Sequence, residues 1–134
     1  MKVSKAVGYS LRALAYLANR GKGRRVTLGE ISKAEDIPTA CLVKALKRLA
    51  ATGLVTIFRG SEGGYTLNKS PGKVSMLDVY EAIEGKLLLR DCTEYPQSCA
   101  RSKKCPARPV WMDLQGRVAD AFDRCSLAEL SASK

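Results

Sequence analysis

The 134-residue chain contains no histidine. That absence excludes Ser-His-Asp and Cys-His catalysis, histidine general bases and HExxH zinc sites. Neither G-x-x-x-x-G-K-[ST] nor G-x-G-x-x-G occurs, which removes the two best-known nucleotide cradles. No apolar run is long enough to cross a membrane, because Arg12 interrupts the longest apolar-rich stretch, Leu11–Ala18. The opening Met1-Lys2-Val3-Ser4-Lys5 lacks the apolar segment of a signal peptide. Five cysteines is an odd count, which argues against a disulfide framework. These absences lead us to expect a cytoplasmic protein with reduced thiols, no membrane partner and no enzymatic activity.

What is present is a lopsided charge. The net charge is +10. Residues 1–75 hold 14 basic and 4 acidic side chains, whereas residues 76–134 hold 9 of each. The whole excess lies in the first half, which points to a polyanionic partner there. A hydrophobic content of 46% is ordinary for a folded chain. The length suits one domain, or a small domain with a dimerisation arm.

Hydrophobic spacing predicts a helix over Ser4–Asn19, with Val7, Leu11, Leu14, Ala15, Leu17 and Ala18 as its stripe, stopped by Gly21-Lys22-Gly23. Thr27 and Glu30 fit a capping box for a short second helix whose Leu28, Ile31 and Ala34 face inward. A turn at Asp36-Ile37-Pro38-Thr39 leads to a third helix, from about Pro38 to Thr52. Leu42, Ala45, Leu46 and Leu49 form its buried face, and Lys44, Lys47 and Arg48 its other side. This is a helix-turn-helix pattern. The period then changes to two. Residues 54–58 and 65–67 read as strands around the turn 59–64, so a hairpin, or wing, follows the helix-turn-helix. Residues 75–83 read as another short helix.

Residues 85–107 have no clean period and read as a loop. A helix over Pro109–Arg124 carries Val110, Leu114, Val118, Ala121, Phe122 and Cys125 on one stripe, and Ser126–Leu130 reads as a last turn. The chain has little left to cover that stripe, which suggests a homodimer. The expected class is mainly α with a small β-hairpin. It comprises a winged helix-turn-helix domain over 1–83, a cysteine-containing loop over 84–108, and a dimerisation helix with its C-terminal turn over 109–134.

The order and spacing of several motifs resemble the iron–sulfur-cluster regulators, bacterial winged-helix transcription factors of the IscR, NsrR and RirA type. The carriers are Tyr9-Ser10-Leu11-Arg12-Ala13-Leu14, Gly53-Leu54-Val55, the wing Arg59-Gly60-Ser61-Glu62-Gly63-Gly64-Tyr65-Thr66-Leu67, and Cys92-x6-Cys99-x5-Cys105 followed by Val110-Trp111. The resemblance runs from about Met1 to Leu130. It implies a homodimer with crossed long helices. It also implies a [2Fe–2S] or [4Fe–4S] cluster on the three cysteines, whose state controls DNA affinity in response to redox, nitric oxide or iron status, most often for repression.

The residues themselves make the DNA case. The N-terminal part of a recognition helix meets base edges in the major groove. Here that part offers Thr39 and Ala40, then Cys41 and Val43, with Lys44, Lys47 and Arg48 for phosphate or guanine. The expected partner is a double-stranded, palindromic operator. Val43 and Lys44 replace the polar or acidic pair often found in the family, so the operator is expected to differ. Arg59 at the wing tip suits a narrow, A·T-rich minor groove, the role the resemblance also implies. Gly60, Gly63 and Gly64 permit the tight turn and close backbone approach.

Three of the five cysteines fall within residues 92–105, where even spreading would put about 0.5. Thiolates are the usual iron–sulfur ligands, and Lys103 and Lys104 are placed to offset their charge. Zinc and metal-free thiols are the alternatives. Relatives take a fourth ligand from a histidine shortly after the third cysteine or an acidic residue in helix 1 of the other subunit. Here Arg108 and Gly8 stand at those positions. Asp91, Glu94, Cys41, Cys125, water and a small molecule are the candidates left. Cys41 and Cys125 otherwise read as buried small hydrophobes, and Trp111 as a packing anchor beside the loop. A cluster-free regulator that responds to thiol oxidation or a small metabolite is the alternative function.

Overall fold

A computed structural model describes residues 1–21 and 23–132. Lys22 of the expected helix stop, and the last two residues of the 109–134 unit, lie outside them. Helix α1 spans Lys5–Arg20, α2 Leu28–Glu35 and α3 Thr39–Ala51. A two-stranded antiparallel sheet follows, with β1 Val55–Phe58 and β2 Gly64–Leu67 paired from Val55↔Leu67 to Phe58↔Gly64. Then come α4 Met76–Glu84, α5 Arg108–Arg124 and α6 Leu127–Ala132. The fold is mainly helical with one small hairpin, as the sequence predicts.

Local chemistry sets the ends of these elements. Ser4 caps α1 by accepting from the Val7 amide, and Thr27 caps α2 by accepting from the Glu30 amide at 3.1 Å. The box expected at Thr27 is only half made, because the Glu30 carboxylate accepts from the Tyr16 hydroxyl at 2.6 Å instead. The complete capping box is at α4, where Ser75 and Asp78 satisfy each other's amides at 3.0 Å. Between α2 and α3, Asp36 adopts φ +53°. The Ile37 amide returns to the Ser32 carbonyl at 3.1 Å, and the Ser32 hydroxyl donates to the Ile37 carbonyl at 2.6 Å. These bonds fix the turn that aims α3.

The core lies where α1, α2, α3 and α4 meet, filled by Leu14, Ile31, Leu42, Leu46, Leu49 and Val79. Ala34, expected to face inward, is exposed, because α2 is short and Ile31 is its one fully buried residue. The tail returns to this core. Leu127 on α6 is 1% exposed and donates its amide to the Val74 carbonyl at 2.7 Å. The Cys125 carbonyl accepts from the Met76 amide at 2.8 Å, so α6 packs on α1 rather than extending α5.

The apolar stripe of α5 also divides. Val118 and Phe122 pack against the core, and the Phe122 ring meets Tyr80 edge-on at 5.7 Å. Their own chain therefore covers that half of the stripe, contrary to the expectation that little would. Val110 and Leu114 remain exposed at 53% and 41%. No helix among the described residues is long and apolar enough to cross a membrane.

Candidate nucleic-acid interface and cysteine loop

The period of α3 sorts its side chains. Leu42, Ala45, Leu46 and Leu49 are buried. Thr39, Ala40, Cys41, Lys44, Lys47 and Arg48 are exposed on the other side, and Val43 is half-buried between the two faces. The helix has no acidic residue in its first turn and no side-chain cap at Pro38. Its first turn therefore holds no carboxylate to offset the positive end of the helix. Arg48 differs from its neighbours, since its Nη1 donates to the Ile83 carbonyl at 2.7 Å. Cys41, expected to be buried, is exposed because it lies one position away from the inward-facing Leu42.

The wing presents Arg59 and Gly60 exposed at its tip, with Gly60 at φ +92°. Gly63 has steric work: a Cβ there would sit 2.7 Å from the Phe58 carbonyl oxygen and 2.9 Å from that of Gly60. Gly64 is buried at φ +154°, backed by Val26. Val26 pairs with Tyr65 through bonds of 3.0 and 2.9 Å, which adds a third short segment to the hairpin.

Sequence reasoning missed Arg25. Its guanidinium lies 3.7 Å from the centre of the Phe58 ring, and its Nη1 donates to the Glu62 carbonyl at 2.9 Å. One residue thus braces the end of β1 and the turn of the wing. The only hint in the sequence is the basic pair Arg24-Arg25, which has no period to place it.

Residues 85–107 form a loop, as read, with short 3₁₀ turns at Asp91–Thr93 and Pro96–Ser98. Gln115 of α5 holds its start, accepting from the Leu89 amide at 2.9 Å and the Thr93 hydroxyl at 2.8 Å. The Arg108 Nε donates to the Cys92 carbonyl at 3.0 Å. Trp111 is half-buried near the start of α5.

Cys92 and Cys99 line one cavity of about 360 Å³ together with Arg90 and Asp91. Cys105 is not on its wall. Among the described residues, no three His, Cys, Asp or Glu side chains are placed to hold a metal ion. Of the fourth-ligand candidates, Asp91 shares the cavity, while Glu94 pairs with Lys86 at 2.5 Å. That contact raises the Lys86 pKa above the usual lysine value, chiefly through the hydrogen bond to Glu94. Cys125 is half-buried at the end of α5, and Cys41 lies on α3. In this conformation the residues of one chain do not fit a cluster held by three thiolates.

A basic helix exposed beside a glycine-turned hairpin, on a helical core, defines a winged helix-turn-helix protein. The chain belongs to the Rrf2 family, whose model, described as an iron-dependent transcriptional regulator, matches residues 3–133. Membership makes it a regulatory DNA-binding protein and not an enzyme. It is 31% identical over 132 residues to an HTH-type transcriptional regulator of Aquifex aeolicus, covering 97% of this chain and 91% of that one. It is 28% identical over 130 residues to the HTH-type transcriptional regulator IscR of Cronobacter sakazakii, covering 97% and 80%. Among solved structures, CymR, the global cysteine regulator of B. subtilis, superposes with a TM-score of 0.79 at 23% identity, covering 100% of this chain and 98% of that one.

Proposed function

We propose that the chain acts as a homodimeric repressor that reads operator DNA with α3 and the wing and is controlled at the cysteine loop. The observation that carries this reading is the exposed basic face of α3 beside Arg59, in the half of the chain that holds the whole +10 charge. Thr39, Ala40 and Val43 face base edges, Lys44, Lys47 and Arg48 take phosphates or guanine, and Arg59 enters the minor groove with Gly60 beside it. Gly63 and Gly64 shape the turn. Exposed Val110 and Leu114 meet the same face of a second copy. Two heads then address half-sites about 34 Å apart.

The control step we favour is thiol chemistry, because Cys92 and Cys99 share a cavity that Cys105 does not reach. A Cys92 thiolate attacks a peroxide oxygen and becomes a sulfenic acid as the other oxygen leaves as hydroxide, which takes a proton from solvent to become water. The Cys99 thiol then displaces a second water and forms the disulfide, so two thiols are oxidised as one peroxide is reduced. Gln115 and Arg108 tie the loop to α5, so a loop that closes on itself shifts the helix that spaces the heads. An iron–sulfur cluster on Cys92, Cys99 and Cys105 is the second reading. The clustering of those cysteines and the likeness to regulators named IscR favour it, and it requires the loop to rearrange.

The test is anaerobic purification, then absorbance with iron and acid-labile sulfide analysis, and selection of an operator from a random duplex pool. Thiol control predicts a colourless protein whose operator affinity falls with peroxide and returns with dithiothreitol, and a Cys99→Ser variant that does not respond. A brown protein with iron and sulfide, lost in Cys92→Ala, replaces thiol control with the cluster. No selectable operator overturns the DNA reading.

A further inference from the structure

A second cavity, also of about 360 Å³, opens between α1, α3 and the end of α4, with none of the described residues of the cysteine loop in its lining. Ala6, Tyr9 and the buried Ala45 and Ile83 give it an apolar lining. Three cations stand around it, Lys5 from α1 and Lys44 and Arg48 from α3, while no carboxylate lines it among the described residues. The bond from Arg48 to the Ile83 carbonyl holds that guanidinium at the edge, with further N–H groups left to donate. The exposed Cys41 thiol also lines the cavity.

An apolar pocket rimmed by one sign of charge selects by both terms. Burial favours a hydrophobic body, and the cations favour a carboxylate over a neutral group. We propose that this cavity is an effector site for a small organic anion with an apolar body, such as an aromatic carboxylate. Its occupation engages Lys44 and Arg48, so it withdraws two cations from the outer face of α3 and weakens DNA binding. That consequence rests on the DNA-binding reading; the binding itself does not.

The probe is 1-naphthoate, with uncharged 1-naphthalenemethanol as its control, on the full-length reduced protein. Iodoacetamide alkylation of Cys41 is followed by peptide mass spectrometry, with the exposed Cys99 as internal reference. Naphthoate is expected to slow alkylation of Cys41 saturably and leave Cys99 unchanged, at a concentration about tenfold below that needed of the alcohol. It is also expected to weaken operator binding. Ala6→Phe, which fills the cavity, keeps operator binding and loses the response. Lys5→Gln, a change at an exposed side chain, weakens naphthoate protection even if Ala6→Phe fails to fold.

Absence of protection, or equal protection by the alcohol, overturns the proposal. So does a Cys41 that resists alkylation in the ligand-free protein, which would mean that a second copy of the chain covers the cavity. Protection of Cys41 in a protein that selects no operator supports the anion site and overturns the DNA-binding reading instead.

Discussion

Arg48 on α3 donates Nη1 to the Ile83 carbonyl, 2.7 Å away in the last turn of α4. A basic residue that we propose contacts DNA thus also satisfies a main-chain acceptor at a helix end, where carbonyls lack intrahelical partners. It ties α3 to the element that leads into the cysteine loop. The neighbouring Lys47 is also exposed and makes no such bond among the described residues.

The two are therefore expected to separate on mutation. Arg48→Ala loses about 1 kcal/mol of stability in urea unfolding, together with operator affinity. Lys47→Ala loses affinity and salt slope at unchanged stability. Equal stability of the two variants would show the Arg48 bond to be idle.

The wing depends on sterics at one position and a brace at another. Gly63→Ala drives a methyl against two carbonyl oxygens and is expected to cost about 1–3 kcal/mol. Arg25→Ala removes the stack on Phe58 and the bond to Glu62, worth about 1 kcal/mol together. Both variants should keep the helical circular dichroism of the parent, weaken operator binding, and speed hydrogen exchange at Tyr65.

Two leucines near the C-terminus should behave oppositely. Leu127→Ala hollows the core under α6 and costs about 2–5 kcal/mol. Leu114→Asp, at an exposed site, leaves the monomer folded and moves sedimentation from dimer to monomer. A Leu114→Asp protein that stays dimeric would put the interface elsewhere.

Tyr16 provides a pH test. Its hydroxyl donates to Glu30, and this bond, followed by burial and by repulsion between phenolate and carboxylate, raises its pKa. A folded pKa above the unfolded value of about 10 means that the stabilisation is complete below that value. It is lost as pH rises through the folded pKa. Phenolate absorbance, assigned with Tyr16→Phe, should show Tyr16 ionising later than an ordinary tyrosine, and Glu30→Gln should bring it back toward the ordinary value.

Much of the fold was legible because its signals are local. Spacing of three and four marked α1 and α3, and the change to alternation followed by Gly60, Gly63 and Gly64 marked the hairpin. The exposed face of α3 was likewise readable, since a helix that buries Leu42, Ala45, Leu46 and Leu49 must turn Lys44 and Lys47 outward. Cys41 escaped because residue type alone suggests burial, whereas its angular position on the helix decides exposure. Arg25 escaped because stacking on Phe58 joins residues 33 positions apart in sequence, and no period reports such a contact.

The sequence by itself therefore determined the order of elements, the family pattern and which half of the chain carries the charge. These follow from propensity, spacing and composition, which need no knowledge of neighbours. Only the tertiary structure decided that α6 returns to α1, that Val118 and Phe122 pack against the core, that Cys92 and Cys99 share a cavity without Cys105, and that three cations ring an apolar pocket beside α3. Those outcomes depend on which distant surfaces meet when the helices pack, and packing is settled by shape and burial across the whole core rather than by any one segment.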